Sequence, residues 1–242
     1  MNLRARFFAC LLVLLFCPSC KKDLGPCTGN CQVVQFSGIA VDPGAQKPLA
    51  GLTVTVDMPR RKACTFCGDY QVASGKTGTD GTFDLSVKVD TTLVVSRYCT
   101  VSVQGPAGYI TYALPVGPGI EAAPASPMNE LVQPLDSTGA APYAEYDFFQ
   151  RVLLTVQLHR RSAILPSAPS LYLTFSMSTL SSSAWGLNET STNADTALTL
   201  YTGANVFTRI NSSVFVTDST TASQTDSIRC VPGGNNTVDI NY

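Results

Sequence analysis

Alternation of apolar and polar residues is the feature that most limits the fold of this chain. It is clearest in four segments, residues 52–58, 83–89, 152–158 and 171–177, where every second side chain is apolar. A period of two places those side chains on one face of a β-strand. Because no segment keeps a helical period for more than a turn or two, we predict an all-β protein of two Ig-like or transthyretin-like β-sandwiches in tandem.

Three segments of the first half resemble the carboxypeptidase-regulatory or transthyretin-like family. They are FSGIAVD at 36–42, PLAGLTV at 48–54 and TGTDGTF at 77–83. That family reads G-x-V-x-D, P-L-x-G-V-x-V and T-D-x-x-G-x-F, and one spacer residue is missing here before Gly81. The resemblance implies an Ig-like sandwich over residues 31–112 and carries no catalytic residues, since the module only accompanies the peptidase in its namesake enzymes.

Composition along the chain predicts five parts. Residues 1–19 are expected to be a signal peptide, residues 20–30 a lipidated tether and residues 31–112 the first sandwich. A Pro-, Gly- and Ala-rich linker is expected over residues 113–145, partly lying over a domain. Residues 146–242 contain several short alternating strands, which indicates a second sandwich.

The N-terminal segment is typical of a bacterial lipoprotein signal. Arg4 and Arg6 precede the uncharged run 7–16, which is about ten residues long and too short to cross a bilayer, for which about 20 residues are needed. The residue before a lipidated cysteine must be small, and Ser19 meets that condition before Cys20. The string SCKKD at 19–23 also resembles the lipobox end of Bacteroidetes-type lipoproteins. We therefore predict acylation of Cys20 and an anchor in the outer membrane or cell surface.

Two alternatives to acylation of Cys20 remain open. Cys17 could be the lipidated residue, although the bulky Phe16 precedes it. The signal could also be cut without lipidation. In each case the remaining chain works outside the cytoplasm.

Six cysteines remain after the signal and the lipid site, and an oxidising compartment favours disulfides between them. They are Cys27, Cys31, Cys64, Cys67, Cys99 and Cys230. If the first two strands are antiparallel neighbours, the first four of these cysteines share one end of the first sandwich. We expect disulfides there that join the 59–75 loop to the first strand; a tetrathiolate zinc site formed by the same four thiols is the alternative.

Cys230 has no cysteine partner in the second sandwich. Cys99 is the partner left over in the first, and a bond between them would lock the two domains together. Two buried free thiols are the alternative.

The charge and the residue types argue against nucleic-acid binding and catalysis. The chain has 16 basic and 17 acidic side chains, and loss of Arg4 and Arg6 with the signal leaves 14 against 17. A nucleic-acid interface needs a basic patch. His159 is the one histidine and is predicted to face solvent, and no Gly-rich phosphate loop, G-x-S-x-G or H-E-x-x-H motif occurs. We predict no enzymatic activity and no cofactor.

The expected role is therefore a non-catalytic envelope lipoprotein that binds or supports a partner, either an envelope protein or a glycan. A fimbrial-type structural subunit is one alternative. Glycan binding within a polysaccharide-uptake system is another, with Trp185 as the side chain that would stack on a sugar ring.

Overall fold

The structure is a computed structural model, and it describes residues 27–61, 68–95, 97–116, 126–159, 170–177, 182–188, 196–216 and 219–241. The regular elements in these ranges are β-strands, which form two Ig-like sandwiches, so the all-β prediction is confirmed. No helix in the described ranges is long and apolar enough to cross a membrane.

The first ten strands run from Cys31 to Asp147, and eight of them build the first sandwich. They are β1 (Cys31–Asp42), β2 (Lys47–Pro48), β3 (Thr53–Met58), β4 (Tyr70–Lys76), β5 (Thr82–Asp90), β6 (Tyr98–Gln104), β7 (Tyr109–Ile110), β8 (Leu114–Val116), β9 (Met128–Pro134) and β10 (Ala144–Asp147). One sheet contains β10, β1 and β5, with β2 extending the β5 side of β1. The other has the order β4-β3-β6-β9.

The alternating segments line the space between these two sheets. Val54, Val56 and Met58 point inward and are fully buried, while Thr53 and Thr55 lie on the outer face of β3. Each buried aliphatic side chain of this kind contributes about 1.5–3 kcal/mol to folding. The alternation read from the sequence therefore identifies the inner face of the sheet correctly.

The second sandwich repeats the topology of the first, strand for strand. Its strands are β11 (Phe149–His159), β12 (Ser170–Ser176), β13 (Ser182–Asn188), β14 (Thr196–Gly203), β15 (Phe207–Val216), β16 (Ser219–Arg229) and β17 (Thr237–Asn241). They form β17-β11-β14 and β13-β12-β15-β16, in the same order and directions as β10-β1-β5 and β4-β3-β6-β9. The sequence shows no strong repeat, so the equivalence of the two halves is visible only in the pairing.

In each sandwich the first and the last strand lie side by side and run parallel. Gly38 to Val41 of β1 pair with Ala144 to Asp147 of β10. Thr155 to His159 of β11 pair with Thr237 to Asn241 of β17. Because the two terminal strands point the same way, the chain enters each sandwich at one end and leaves it at the other.

The predicted linker over residues 113–145 is wrong for most of its length. β9 pairs with β6 over seven residues, and β10 pairs with β1, so both are integral strands of the first sandwich. β8 instead pairs with β14 of the second sandwich. Composition alone does not distinguish these strands from a linker, and residues 117–125, which are richest in proline, glycine and alanine, lie outside the described residues.

Candidate functional site

The N-terminal end of the first sandwich contains a disulfide between Cys27 and Cys31. The two cysteines are only four positions apart, so the bond closes a small loop where the chain enters β1. Such a bond restrains the start of the strand and does not join the 59–75 loop to it, which corrects that part of the prediction.

The second cysteine pair, Cys64 and Cys67, lies outside the described residues. The loop that contains it leaves β3 at the same end of the sandwich as Cys31, because Arg60 pairs with Val94 and the amide of Thr91 donates to the carbonyl of Asn30. The prediction placed both cysteine pairs at this end on the premise that the first two predicted strands, β1 and β3, are antiparallel neighbours. That premise is wrong, because β1 and β3 belong to opposite sheets. In the described ranges no three His, Cys, Asp or Glu side chains converge on a metal position.

Cys99 and Cys230 do not pair. Cys99 is buried in the core of the first sandwich and Cys230 in the core of the second. Burial raises the pKa of each thiol to about 11. The two thiols are buried and free, as the alternative predicted, and the interdomain disulfide is not formed in the described structure.

The remaining predicted positions lie in the second sandwich. Trp185 is in β13, where its backbone pairs with Leu173, but its side chain is outside the described set. His159 ends β11, and its Nε2 lies 3.0 Å from Oδ1 of Asp239 on the neighbouring strand, at the surface. A shallow depression of about 70 Å³ near Tyr112 and Met128 is well below the several hundred Å³ of a typical substrate pocket.

The junction between the sandwiches is the site that sequence reasoning missed. After β6 the chain leaves the first sandwich at Gly105 and crosses to the second, and by Pro127 it has returned to the first; we call the described residues 105–116 of this connection the clasp. The amide of Gly105 donates to the carbonyl of Pro127 at 2.7 Å, which closes the base of the clasp. The equivalent connection in the second sandwich, between β15 and β16, spans only residues 217–218.

The clasp pairs with two strands of the second sandwich. Tyr109 and Ile110 of β7 pair with Gln150 and Phe149 of β11. β8 adds to the outer edge of β14. β8 also protects that edge, because Pro115 has no N–H and cannot propagate the sheet to a further strand in the usual way.

A buried carboxylate ties the clasp to the end of β1. Asp42 is 2% exposed; its Oδ2 accepts a hydrogen bond from the Tyr109 hydroxyl at 3.0 Å, and its Oδ1 accepts one from the amide of Ala45. Desolvation and the Asp42 carboxylate together raise the pKa of Tyr109. The clasp is thus anchored by a charge-assisted bond on the first sandwich and by strand pairing on the second.

Apolar packing completes the junction. Ile110, Phe149 and Met177 form a small buried cluster, against which Leu114 and Tyr201 pack. This cluster packs the clasp against β11, β14 and the end of β12.

The turn after β1 also meets the second sandwich directly. A Cβ placed on Gly44 would overlap the carbonyl oxygen of Ala204. Only glycine permits that approach, so the backbone of the first sandwich contacts the backbone of the second directly at this position.

Asp147, another acidic residue near the junction, has a raised pKa. Burial, followed by the nearby Glu145 carboxylate, raises the pKa of Asp147 to about 6. Asp147 is the last residue of β10. The ring of the next residue, Phe148, lies against Gly105, where it fills the space that a Cβ would need.

No protein-family profile matches the chain, and no curated protein matches it. Three solved structures similar to it are the shaft pilin SpaA of Lactobacillus rhamnosus GG, a streptococcal ancillary pilin and a Bacteroides ovatus protein named for cell adhesion. For SpaA (the E269A/D295N double mutant) the identity is 11% and the TM-score 0.28, with 88% of this chain and 97% of that chain covered. For the ancillary pilin the values are 9% and 0.31, with 87% and 62% covered. For the Bacteroides protein they are 8% and 0.30, with 87% and 92% covered. These scores are too low to carry an argument about family or function.

Proposed function

We propose that this protein is a non-catalytic, lipid-anchored spacer of the bacterial cell envelope, which holds a binding surface at a fixed distance from the membrane. The observation that carries the proposal is the path of the chain: it enters at one end of the first sandwich and leaves at the opposite end of the second.

The dimensions fit a spacer. At about 3.3 Å per residue, the twelve residues of β1 span about 40 Å and the eleven of β11 about 36 Å. Only Phe148 separates β10 from β11. With the lipid on Cys20, the far end of β11 and β17 would stand well away from the bilayer.

The clasp makes the spacer rigid. Consecutive domains move relative to each other by default unless their interface is extensive. Here the junction combines strand pairing on two strands, the Tyr109–Asp42 bond and an apolar cluster. Such a junction holds the sandwiches in one arrangement.

The parallel terminal strands suit a protein under tension. A pull between the anchor and the C-terminal end acts along β1 and β10 in opposite directions. Their hydrogen bonds are then loaded in shear and must break together, unlike the bonds of a hairpin pulled open from its end. The same geometry recurs at β11 and β17.

Lipidation at Cys20, outer-membrane or surface location and membership of the carboxypeptidase-regulatory or transthyretin-like family are parts of this proposal. The first rests on the sequence of residues 1–23, and the last on the three segments of the first sandwich. The fold of residues 31–147 supports the family resemblance without being specific to it.

Small-angle scattering of the unlipidated mature chain tests the spacer. A compact body of this length has a radius of gyration of about 17 Å, whereas two sandwiches joined end to end give about 23 Å. Globomycin treatment and palmitate labelling of the wild type and a Cys20→Ser variant test the anchor. A compact particle, or unchanged labelling and fractionation of the variant, would contradict the proposal.

The two alternatives have their own readouts. A ladder of oligomers on gentle denaturing electrophoresis would favour the fimbrial subunit. Binding on a glycan array that is lost in Trp185→Ala would favour the glycan component. A monomer without Trp185-dependent glycan binding supports the spacer.

A further inference from the structure

The surface of interest lies on the second sandwich, on the outer side of the sheet β13-β12-β15-β16. Leu173 and Ile210 are fully buried on the inner side of this sheet, so the residues next to each of them along the strand point outward. The strand register arranges the outward residues of β12, β15 and β16 in cross-strand rows, which together we call the polar face. The rows are Ser176, Arg209 and Ser227; Thr174, Asn211 and Thr225; and Tyr172, Ser213 and Ser223.

Hydrogen bonds join the middle row of the polar face across three strands. Nδ2 of Asn211 donates to Oγ1 of Thr174 at 3.2 Å, and Oγ1 of Thr225 donates to Oδ1 of Asn211 at 2.9 Å. Because both ends of the Asn211 amide are held by neighbours, its orientation is fixed. One amide and two hydroxyls have the capacity for more hydrogen bonds than these two. The row is therefore an ordered set of donors and acceptors, which a ligand can bind with little loss of side-chain entropy.

Two exposed aromatic side chains lie at opposite ends of the polar face. Tyr172 is 47% exposed, and Phe207, which is 62% exposed, is two positions before Arg209 on β15 and therefore on the same side. Tyr172 pairs with Ser213, six residues after Phe207, which places the two aromatic positions about 20 Å apart along the strand. The other cross-strand partner of Tyr172 is Gly186. Small residues on both sides leave the Tyr172 ring accessible.

The polar face contains no carboxylate. None of the described outward positions of β12, β15 and β16 is Asp or Glu. Arg209 is exposed within the face, and Arg229 is exposed at its end, opposite Phe207. Asp226 pairs with the buried Ile210 and so belongs to the opposite side of β16. The polar groups that the face offers to a ligand are therefore hydroxyl, amide and guanidinium groups.

The equivalent face of the first sandwich has a different character. Its outward positions include two acids, Asp57 and Glu130, and the exposed aliphatic side chain of Val132. Because the two sandwiches share one topology, this difference does not follow from the fold. It is a property of the residues that the second sandwich places on its outer face.

We propose that the polar face binds a linear polysaccharide that lies along β15, with sugar rings against Tyr172 and Phe207 and sugar hydroxyls on the Asn211 row. A sugar ring has an apolar side, which stacks on an aromatic ring, and a rim of hydroxyls, which bonds to amides and hydroxyls. A protein partner is less suited, because the centre of a protein interface is apolar and here the centre is polar. This inference rests on the proposed function, since it names the binding surface that the spacer would hold away from the membrane.

Affinity electrophoresis of the unlipidated chain from Lys21 to Tyr242 tests the proposal. Each native gel contains one soluble polysaccharide: hydroxyethylcellulose, arabinoxylan, galactomannan or polygalacturonate. We expect at least one of them to retard the wild type, and Tyr172→Ala and Phe207→Ala each to weaken that binding about tenfold. Retardation by polygalacturonate that Arg209→Gln weakens would identify sugar carboxylates as the ligand of Arg209, and retardation by the neutral polymers would identify sugar hydroxyls.

Tyr98→Ala is the matched control, because Tyr98 is 44% exposed on the equivalent face of the first sandwich. It should bind like the wild type, and circular dichroism establishes that each variant is folded. Retardation by none of the polysaccharides, or equal weakening by Tyr98→Ala and Tyr172→Ala, overturns the inference. Sedimentation velocity that finds a dimer which Tyr172→Ala dissociates would assign the face to a second copy of the chain and would also overturn it.

Failure of this inference is distinguishable from failure of the proposed function. Absence of polysaccharide binding removes the ligand of the polar face and leaves the lipid anchor and the radius of gyration unchanged. A compact particle in scattering removes the spacer, whereas polysaccharide binding by the same unlipidated chain would remain.

Discussion

Tyr109→Phe is the substitution that tests the clasp most directly. It removes one hydroxyl from the clasp and leaves the ring in place. Oδ2 of Asp42 then loses the donor at 3.0 Å, while Oδ1 keeps the amide of Ala45. A hydrogen bond to a charged group contributes about 1.5–3 kcal/mol, and removal of the donor strands a nearly buried carboxylate oxygen.

The lower end of that range is expected because Tyr109 is only partly buried and water can replace part of the lost bond. We predict a loss of about 1.5 kcal/mol in the free energy of unfolding. For a chain of this length that corresponds to a fall of about 3–6 °C in the melting temperature.

Urea unfolding followed by circular dichroism measures the change. Tyr112→Phe is the matched control, since Tyr112 is in the same clasp and 45% exposed. A double-mutant cycle of Tyr109→Phe with Asp42→Asn should give a coupling energy of about 1 kcal/mol. If Tyr109→Phe unfolds like the Tyr112→Phe control, or the coupling is close to zero, the bond does not hold the clasp and the reasoning is refuted.

Three further predictions concern other parts of the molecule. Burial raises the pKa of Asp147 to about 6 in the folded protein, above its ordinary value of 3.8, so its contribution to stability falls as the pH rises from about 4 to 6. Asp147→Asn should therefore stabilise the protein by about 1 kcal/mol at pH 7.5, after allowing for the partial exposure of the side chain, and have little effect at pH 4 in thermal melts. An equal effect at both pH values would contradict this. Cys99 and Cys230 should resist iodoacetamide until the protein is unfolded, since both thiols are buried with a pKa of about 11; peptide mapping that finds either one labelled in the native protein would show that its core opens. Gly44→Val should force the turn away from Ala204 and raise the radius of gyration while each sandwich stays folded; an unchanged radius would mean that the turn does not set the arrangement.

The interiors of both sandwiches could be predicted from sequence because alternation is local. Leu154, Val156 and Leu158 form one apolar row in the sequence, and all three are fully buried between the sheets. Strands of low hydrophobicity were missed. β16 (STTASQTDSIR) is an outer strand whose side chains are largely polar, and β4 fell within a segment predicted as a loop.

The cysteines show a different limit. Cys27 and Cys31 were among the predicted disulfide candidates, but their pairing with each other depends on how the chain turns before β1. Cys99 and Cys230 have no partner in the described structure because each is enclosed in its own core. The spacing of cysteines along the chain does not indicate how far apart their side chains lie once the sheets have formed.

By itself, the sequence determined the strand faces, the all-β class and the division into two bodies, because side-chain period, turn residues and hydrophobicity act within a few neighbouring residues. Only the tertiary structure decided which strands pair, that both sandwiches share one topology and that residues 105–116 pair with the second sandwich. Those features depend on backbone hydrogen bonds between segments far apart in the chain, and a backbone N–H or C=O is the same for nearly every residue type, so the sequence carries little record of its partner.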